Sequence, residues 1–146
     1  TVNNHEVSTS QITLELTERD IAENEALVVA RLSHLKSLGF LISVDDYGIG
    51  QSSLAKLKSL PVDELKIDKT FILKLEQCQK DQDIVASTIS LGHKLGLSVV
   101  AEGVENKESL MLLNDFQCDY AQGYYLSRPV SAEKFIEWYK TYESPL

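Results

Sequence analysis

The 146-residue chain has little sulfur, little positive charge and no long apolar run, and each shortage closes off a class of function. Its two cysteines, Cys78 and Cys118, lack metal-type spacing and make a poor disulfide framework, so reduced thiols in a cytoplasmic setting are expected. Lysine and arginine number 14 against 22 acidic residues. The net charge of −8 argues against a general basic surface for long nucleic acid. It leaves room for a small anionic ligand, because bound divalent cations can reverse the potential locally. No apolar stretch approaches the roughly 20 residues that span a bilayer, and the N-terminus has no basic segment leading into an apolar one. No linker, low-complexity tract or block of charge divides the chain, and its length suits one domain over 1–146.

What the chain does have is the composition of a globular protein, 43% hydrophobic and 25% charged, and a recurring pattern. Four apolar, strand-like runs end in acids: Ile12-Thr13-Leu14-Glu15-Leu16-Thr17-Glu18, Ile42-Ser43-Val44-Asp45-Asp46, Leu65-Lys66-Ile67-Asp68 and Val99-Val100-Ala101-Glu102. A carboxylate at the end of a buried strand is costly unless a cation or a hydrogen-bond network meets it. Four such ends, each followed by a helical segment, point to strands converging on one metal-binding site.

Periodicity predicts strands at 12–16, 40–45, 63–68, 97–101 and 119–121, with a further one near 124–126. Helices are predicted over 24–38, 52–59, 82–95, 106–115 and 131–142, with Asn24 as an N-cap, Gly39 and Gly96 as stops and Pro61 ending the second. Residues 1–10 read as a polar lead-in or the end of an earlier element. Leu35-Lys36-Ser37-Leu38-Gly39-Phe40 is echoed by His93-Lys94-Leu95-Gly96-Leu97, each a helix closing on glycine before a strand. Alternating strands and helices imply an α/β fold with a parallel sheet. Period-two alternation sets Leu14 and Leu16 against Glu15, and Leu65 and Ile67 against Lys66 and Asp68. Aliphatic groups therefore face helices outside and charge faces inward, as at the carboxyl ends of barrel strands.

These residues resemble the EAL domain family, the cyclic di-GMP phosphodiesterases of bacteria. The matching motifs are Leu14-Glu15-Leu16-Thr17-Glu18, Val44-Asp45-Asp46-Tyr47-Gly48-Ile49-Gly50, Ser52-Ser53-Leu54, Leu60-Pro61-Val62-Asp63-Glu64-Leu65-Lys66-Ile67-Asp68, Val100-Ala101-Glu102-Gly103-Val104-Glu105 and Gln122-Gly123-Tyr124 with Ser127-Arg128-Pro129. The resemblance implies that Glu15, Asp45 and Asp46 are metal ligands, that Glu102 is a further carboxylate of the site, and that Lys66 holds the attacking water. It makes Asp68, Glu105 and Gln122 supporting active-site residues, and Glu18 the residue that shapes the loop after the paired aspartates. Oxygen ligands suit Mg²⁺ or Mn²⁺, and two such ions can stabilise the charge that develops in phosphodiester hydrolysis. The implied reaction converts cyclic di-GMP to the linear dinucleotide. The alternative is a non-catalytic module that binds cyclic di-GMP or a protein partner.

The family domain is longer, with a Glu-Ala-Leu strand and a strand bearing a liganding asparagine upstream of the match to Glu15. The expected fold is therefore an incomplete TIM-type (β/α) barrel lacking its first two strand–helix units, weak or inactive as a hydrolase and self-associating through exposed barrel edges. Glu25-Ala26-Leu27 spells the signature, but it follows Glu15 and sits in a predicted helix. Ile49 and Gln51 depart from the family loop by removing a hydroxyl and a ring, whereas Tyr47 is conservative.

Simpler roles stand beside several of these. Lys66 could merely pair with Asp68 or Asp45, and Glu18 and Glu105 read equally as helix-start or loop carboxylates. Gly48 and Gly50 suit turn dihedrals. His5, His34 and His93 show no ligand-like grouping. Phe135, Trp138 and Tyr139 are expected to pack, not to stack on bases.

Overall fold

The computed structural model describes residues 7–17, 25–48 and 54–145. Five strands, β1 (Thr13–Thr17), β2 (Leu41–Tyr47), β3 (Glu64–Ile67), β4 (Ser98–Glu102) and β5 (Tyr120–Gln122), lie in sequence order in one sheet. Every neighbouring pair is parallel. Between them run α1 (Glu25–Ser37), α2 (Leu54–Ser59), α3 (Lys69–Ile72), α4 (Gln79–Lys94) and α5 (Lys107–Asp115), and α6 (Ala132–Thr141) follows β5. The expected α/β class and parallel sheet are thus observed. The sheet is open among the described residues, with β1 and β5 at its edges.

The aliphatic alternation seen in the sequence does the packing. Leu32, Ile42, Val44, Leu57, Leu60, Leu65 and Leu97 form one buried cluster, with Leu14, Leu16, Val28, Val29 and Leu35 against it. Ile67, Ile72, Leu75, Val85, Ile89, Val99, Ala101, Val104, Leu110 and Leu113 form the other. Each fully buried aliphatic chain contributes about 1.5–3 kcal/mol. The intervening strand positions, Ser43, Asp45, Lys66, Val100 and Glu102, fall on the opposite, inner face.

The echoed helix ends are the same structure made twice. Gly39 (φ 91°) and Gly96 (φ 76°) adopt the left-handed conformation after α1 and α4. Gly39 N–H donates to Lys36 O and Phe40 N–H to Leu35 O, and Gly96 N–H donates to His93 O and Leu97 N–H to Gly92 O. Both are Schellman closures that turn a helix directly into a strand.

Three expectations need correction. The strand near 124–126 is a turn, because Leu126 and Ser127 N–H both donate back to Gly123 O and Tyr125 N–H to Val104 O, curling the chain away from β5. The helix predicted from residue 82 begins at Gln79, and the short helix Lys69–Ile72 before it had no sequence prediction. Helix α6 buries none of its residues. Phe135, Trp138 and Tyr139 touch one another, with Phe135 centroids 5.6 Å from Trp138 and 6.1 Å from Tyr139, but Phe135 stays 51% exposed and Tyr139 71%. The Glu25-Ala26-Leu27 sequence is helical, as predicted. The Asn24 cap, Glu18, Ile49, Gly50, Gln51 and His5 lie outside the described residues.

Candidate functional site

The site grows from the carboxyl ends of the strands. Lys66, central on β3, is 5% exposed, and its ammonium lies 2.7 Å from Glu102 Oε1 on β4, 2.9 Å from Glu15 Oε1 on β1 and 3.3 Å from Asp45 Oδ1 on β2. A lysine this deep is costly unless paired, and one side chain here joins four strands. Burial alone would lower its pKa. The hydrogen bonds to Glu102 and Glu15 and the charges of Glu102 and Asp45 outweigh that and hold the pKa above the ordinary lysine value. Lys66 is therefore a charged donor at neutral pH. It pairs with Asp45, as one simple reading allowed, while Asp68 takes another task. The Asp68 carboxylate accepts from Thr70 N–H at 2.7 Å and caps α3.

Asp45 and Asp46 are adjacent on a strand, so regular pleating would send them to opposite faces. The structure breaks the alternation at that point. Asp46 has φ 57°, and the β2–β3 register shifts between Val44 and Tyr47. This bulge, within the strand and not after it, aims both carboxylates at one place. Asp46 N–H donates to Asp45 Oδ1 at 3.0 Å. Although Asp46 is exposed, the desolvation it meets at the site and the charges of Asp45 and Asp68 raise its carboxyl pKa above the usual value.

Carboxylate oxygens of Asp45, Asp46 and Glu102 lie within 4.8 Å of one another. Three hard oxygen donors in that compass suit a divalent cation of the Mg²⁺, Ca²⁺ or Mn²⁺ kind. Glu15 stands beside this group, joined to it through Lys66, and its side chain is 52% exposed at the sheet edge. Around Lys66 the carboxylates outnumber the cation, leaving a local negative surplus that a divalent ion would offset.

Glu105 and Gln122 sit farther out. With Glu102, Lys69 and Tyr124 they line a cavity of about 310 Å³ formed by the segments after β3, β4 and β5. A wider hollow of about 570 Å³ lies beside the exposed face of α6 and shares Gln122 and Tyr124 with the first. Gly48 has φ 105°, as a turn glycine should. Cys118 is a free thiol whose pKa burial pushes up to about 11, with the Asp119 charge acting the same way. At neutral pH it is therefore held as the thiol.

Sequence reasoning missed two carboxylates that hold the sheet from below. Asp63, just before β3, accepts from Ile42 N–H at 2.9 Å and pairs with Lys36. Asp119, just before β5, accepts from Val99 N–H at 2.8 Å and meets His93 Nε2 at 2.9 Å. Lys36 and His93 occupy equal offsets before Gly39 and Gly96, so the helix–glycine–strand echo carried the signal.

Comparison with known proteins agrees with this geometry. The EAL domain profile matches residues 1–129. Cyclic di-GMP phosphodiesterase NbdA of Pseudomonas aeruginosa is 40% identical over 90% of this chain, which spans 17% of that protein. Among solved structures, the PaMucR phosphodiesterase in complex with c-di-GMP superposes with TM-score 0.87 at 39% identity, covering 92% of this chain and 54% of that one. BlrP1 of Klebsiella pneumoniae, in a complex with manganese and cyclic di-GMP, gives 0.79 at 31% identity, covering 84% of this chain and 31% of that one. The chain spans under a fifth of the length of three of the curated relatives it matches. With most of its length matched by the profile, and with an inner face that gathers strand-end acids around one lysine, this chain belongs to the EAL domain family.

Proposed function

We propose that this chain carries the strand-end acids and the lysine of a metal-dependent phosphodiesterase site that hydrolyses cyclic di-GMP to the linear dinucleotide. The observation that supports this best is Lys66, buried and bonded to carboxylates from three other strands beside the Asp45–Asp46–Glu102 group. Asp45, Asp46 and Glu102, with Glu15 at the edge, would hold Mg²⁺ or Mn²⁺. Such ions, when bound, stabilise charge on the nonbridging and leaving oxygens of the phosphodiester.

The chain's own groups divide the remaining work. Lys66, held in its charged form, orients a water by donating to it and stabilises negative charge on the oxygens bound to phosphorus. It has no vacant lone pair, so the water's proton passes to the carboxylate oxygens around it, Glu102 being nearest at 2.7 Å. One phosphorus–oxygen ester bond breaks as the bond to water oxygen forms, the ring opens, and the departing sugar oxygen takes up a proton to become a hydroxyl. Asp68 fixes the start of α3 behind the lysine, and Glu105 and Gln122 bound the cavity where the rest of the substrate lies. Glu18 is proposed to shape the loop after Asp46.

A second reading, a module that binds cyclic di-GMP without cleaving it, draws on the exposed position of Glu15 at an edge with no strand beyond it among the described residues. That edge leaves the donor set open on one side and makes turnover by this chain alone slow. The edges of β1 and β5 are also proposed to join copies of the chain. Incubation with cyclic di-GMP and Mn²⁺ followed by chromatography separates the readings. Linear dinucleotide that disappears in both Lys66→Ala and Asp45→Ala supports the phosphodiesterase, and turnover surviving in either variant refutes the assigned roles. Calorimetric binding in Ca²⁺ with no product in Mn²⁺ supports the binding module.

A further inference from the structure

Three helices each cover the strand before them and the strand after. Helix α1 brings Val28, Val29 and Leu32 against Leu14 and Leu16 of β1 and Ile42 and Val44 of β2. Helix α4 sets Val85 and Ile89 among Ile67 of β3 and Val99 and Ala101 of β4, and α5 sets Leu110 and Leu113 among those β4 residues and Ala121 of β5. This is how right-handed strand–helix–strand units pack. Helix α6 follows β5, has no next strand among the described residues, and buries none of its own side chains. Phe135, Trp138, Tyr139 and Tyr142 recur on one face of it at helical spacing. Beside that face lies the hollow of about 570 Å³, walled by Phe135, Ile136 and Trp138 on the helix and by Tyr124, Pro129 and Val130 before it. The face is shaped to cover a strand beyond β5.

Strand β1 is the complementary surface. Its outward Leu14 and Leu16 pack on α1 yet stay half-buried, and Thr13 and Glu15 on its inner face are exposed. Tyr120 and Gln122 on the inner face of β5 are exposed in the same way. A strand seated beside β5 needs a free edge, and outward aliphatic side chains to meet α6. Among the described strands β1 alone offers both, and in its own molecule β2, β3 and β4 separate it from β5.

We propose that two copies of the chain join head to tail, β1 of each lying parallel beside β5 of the other, with α6 of the second copy covering Leu14 and Leu16. This rests on the strand-edge association proposed above and states which edge meets which. Made twice about a two-fold axis, the contact leaves no strand edge open. Covering the exposed parts of three rings, their leucine partners and the strand edges at both contacts buries on the order of the 1,200–2,000 Å² found in stable complexes. With the carboxyl ends level, Thr13 stands beside Tyr120 of the second copy and Glu15 beside its Gln122. The open side of the acidic centre is then closed by a side chain from the second copy.

The test uses the whole chain carrying Cys78→Ser and Cys118→Ser. Thr13→Cys and Tyr120→Cys chains are oxidised separately and as a mixture, and sedimentation equilibrium gives the mass of the unaltered chain. The expected results are a disulfide-linked pair in the mixture and in neither chain alone, and an unaltered chain that sediments as two copies. Phe135→Ser with Tyr139→Ser should weaken association about tenfold or more, with circular dichroism unchanged because neither side chain is buried. Cross-linking of either chain with itself and none in the mixture would show like edges meeting; that overturns the head-to-tail pairing and leaves strand-edge association standing. Growth into open polymers would overturn the closed pair, and undiminished association in the α6 variant would overturn the role of that face. A monomeric unaltered chain would overturn this inference and the edge association together.

Discussion

At the scale of single residues, Lys66 is the group on which the inner face depends. Alternation told from sequence alone that it points inward, and the EAL resemblance told which acids to look for. What the sequence could not tell was the pairing, since Glu15 lies 51 residues away and meets Lys66 only once β1 and β3 are placed in one sheet. Nor could it tell that Asp46 reaches the same place as Asp45, because that depends on a bulge and a φ of 57° in a residue with no glycine freedom. Lys66→Ala should leave three carboxylates facing one another and lower stability by about 2 kcal/mol in metal-free buffer. Mn²⁺ should recover part of that loss. Urea unfolding with chelator and with Mn²⁺ measures both, and a variant as stable as the unaltered chain would show that the cluster does not need its cation.

At the scale of elements, the sheet is held by tethers that no motif announced. Asp119 joins the start of β5 to β4 and to the end of α4, as Asp63 joins β3 to β2 and α1. Burial disfavours the charge of Asp119, but the bonds from His93 and Val99 N–H outweigh it and hold its carboxyl below the usual range. A depressed carboxylate contributes stability that is full above the unfolded value, near pH 4, and is lost as pH falls through the lower folded value. Asp119→Ala should therefore cost about 1 kcal/mol at pH 7, and its stability should fall less steeply than that of the unaltered chain below about pH 4. Thermal melts across pH 2–7 check the sign. Gly123→Ala forces a Cβ onto Val104 O and should cost about 1–3 kcal/mol, read as a lowered denaturant midpoint. Strand and helix positions were largely legible, because the aliphatic alternation and the two glycine stops are local signals. The turn at 124–126 and the short helix at Lys69–Ile72 were not, since tertiary hydrogen bonds to Val104 and the Asp68 cap decide them.

At the scale of the molecule, the five parallel strands among the described residues present two open edges, and α6 shows Phe135, Ile136 and Tyr139 to solvent. Edge strands and an uncovered aromatic face favour association. Light scattering at micromolar concentration is expected to give a dimer or larger species, and a monodisperse monomer would contradict that. The acidic centre looks out on the same open side, through Glu15. Strand–helix alternation and the period-two pattern made the parallel sheet and the acidic inner face legible in advance. The exposure of α6 was not, because helical spacing of aromatics reports that a face exists and not what covers it.

The most direct test of the acidic centre is Mn²⁺ binding to the folded chain, followed by calorimetry in the unaltered protein and in Asp45→Asn and Glu102→Gln. Saturable binding in the first, weakened at least tenfold in both variants with their folds intact by circular dichroism, is the predicted result. Equal Mn²⁺ affinity in all three proteins would contradict it.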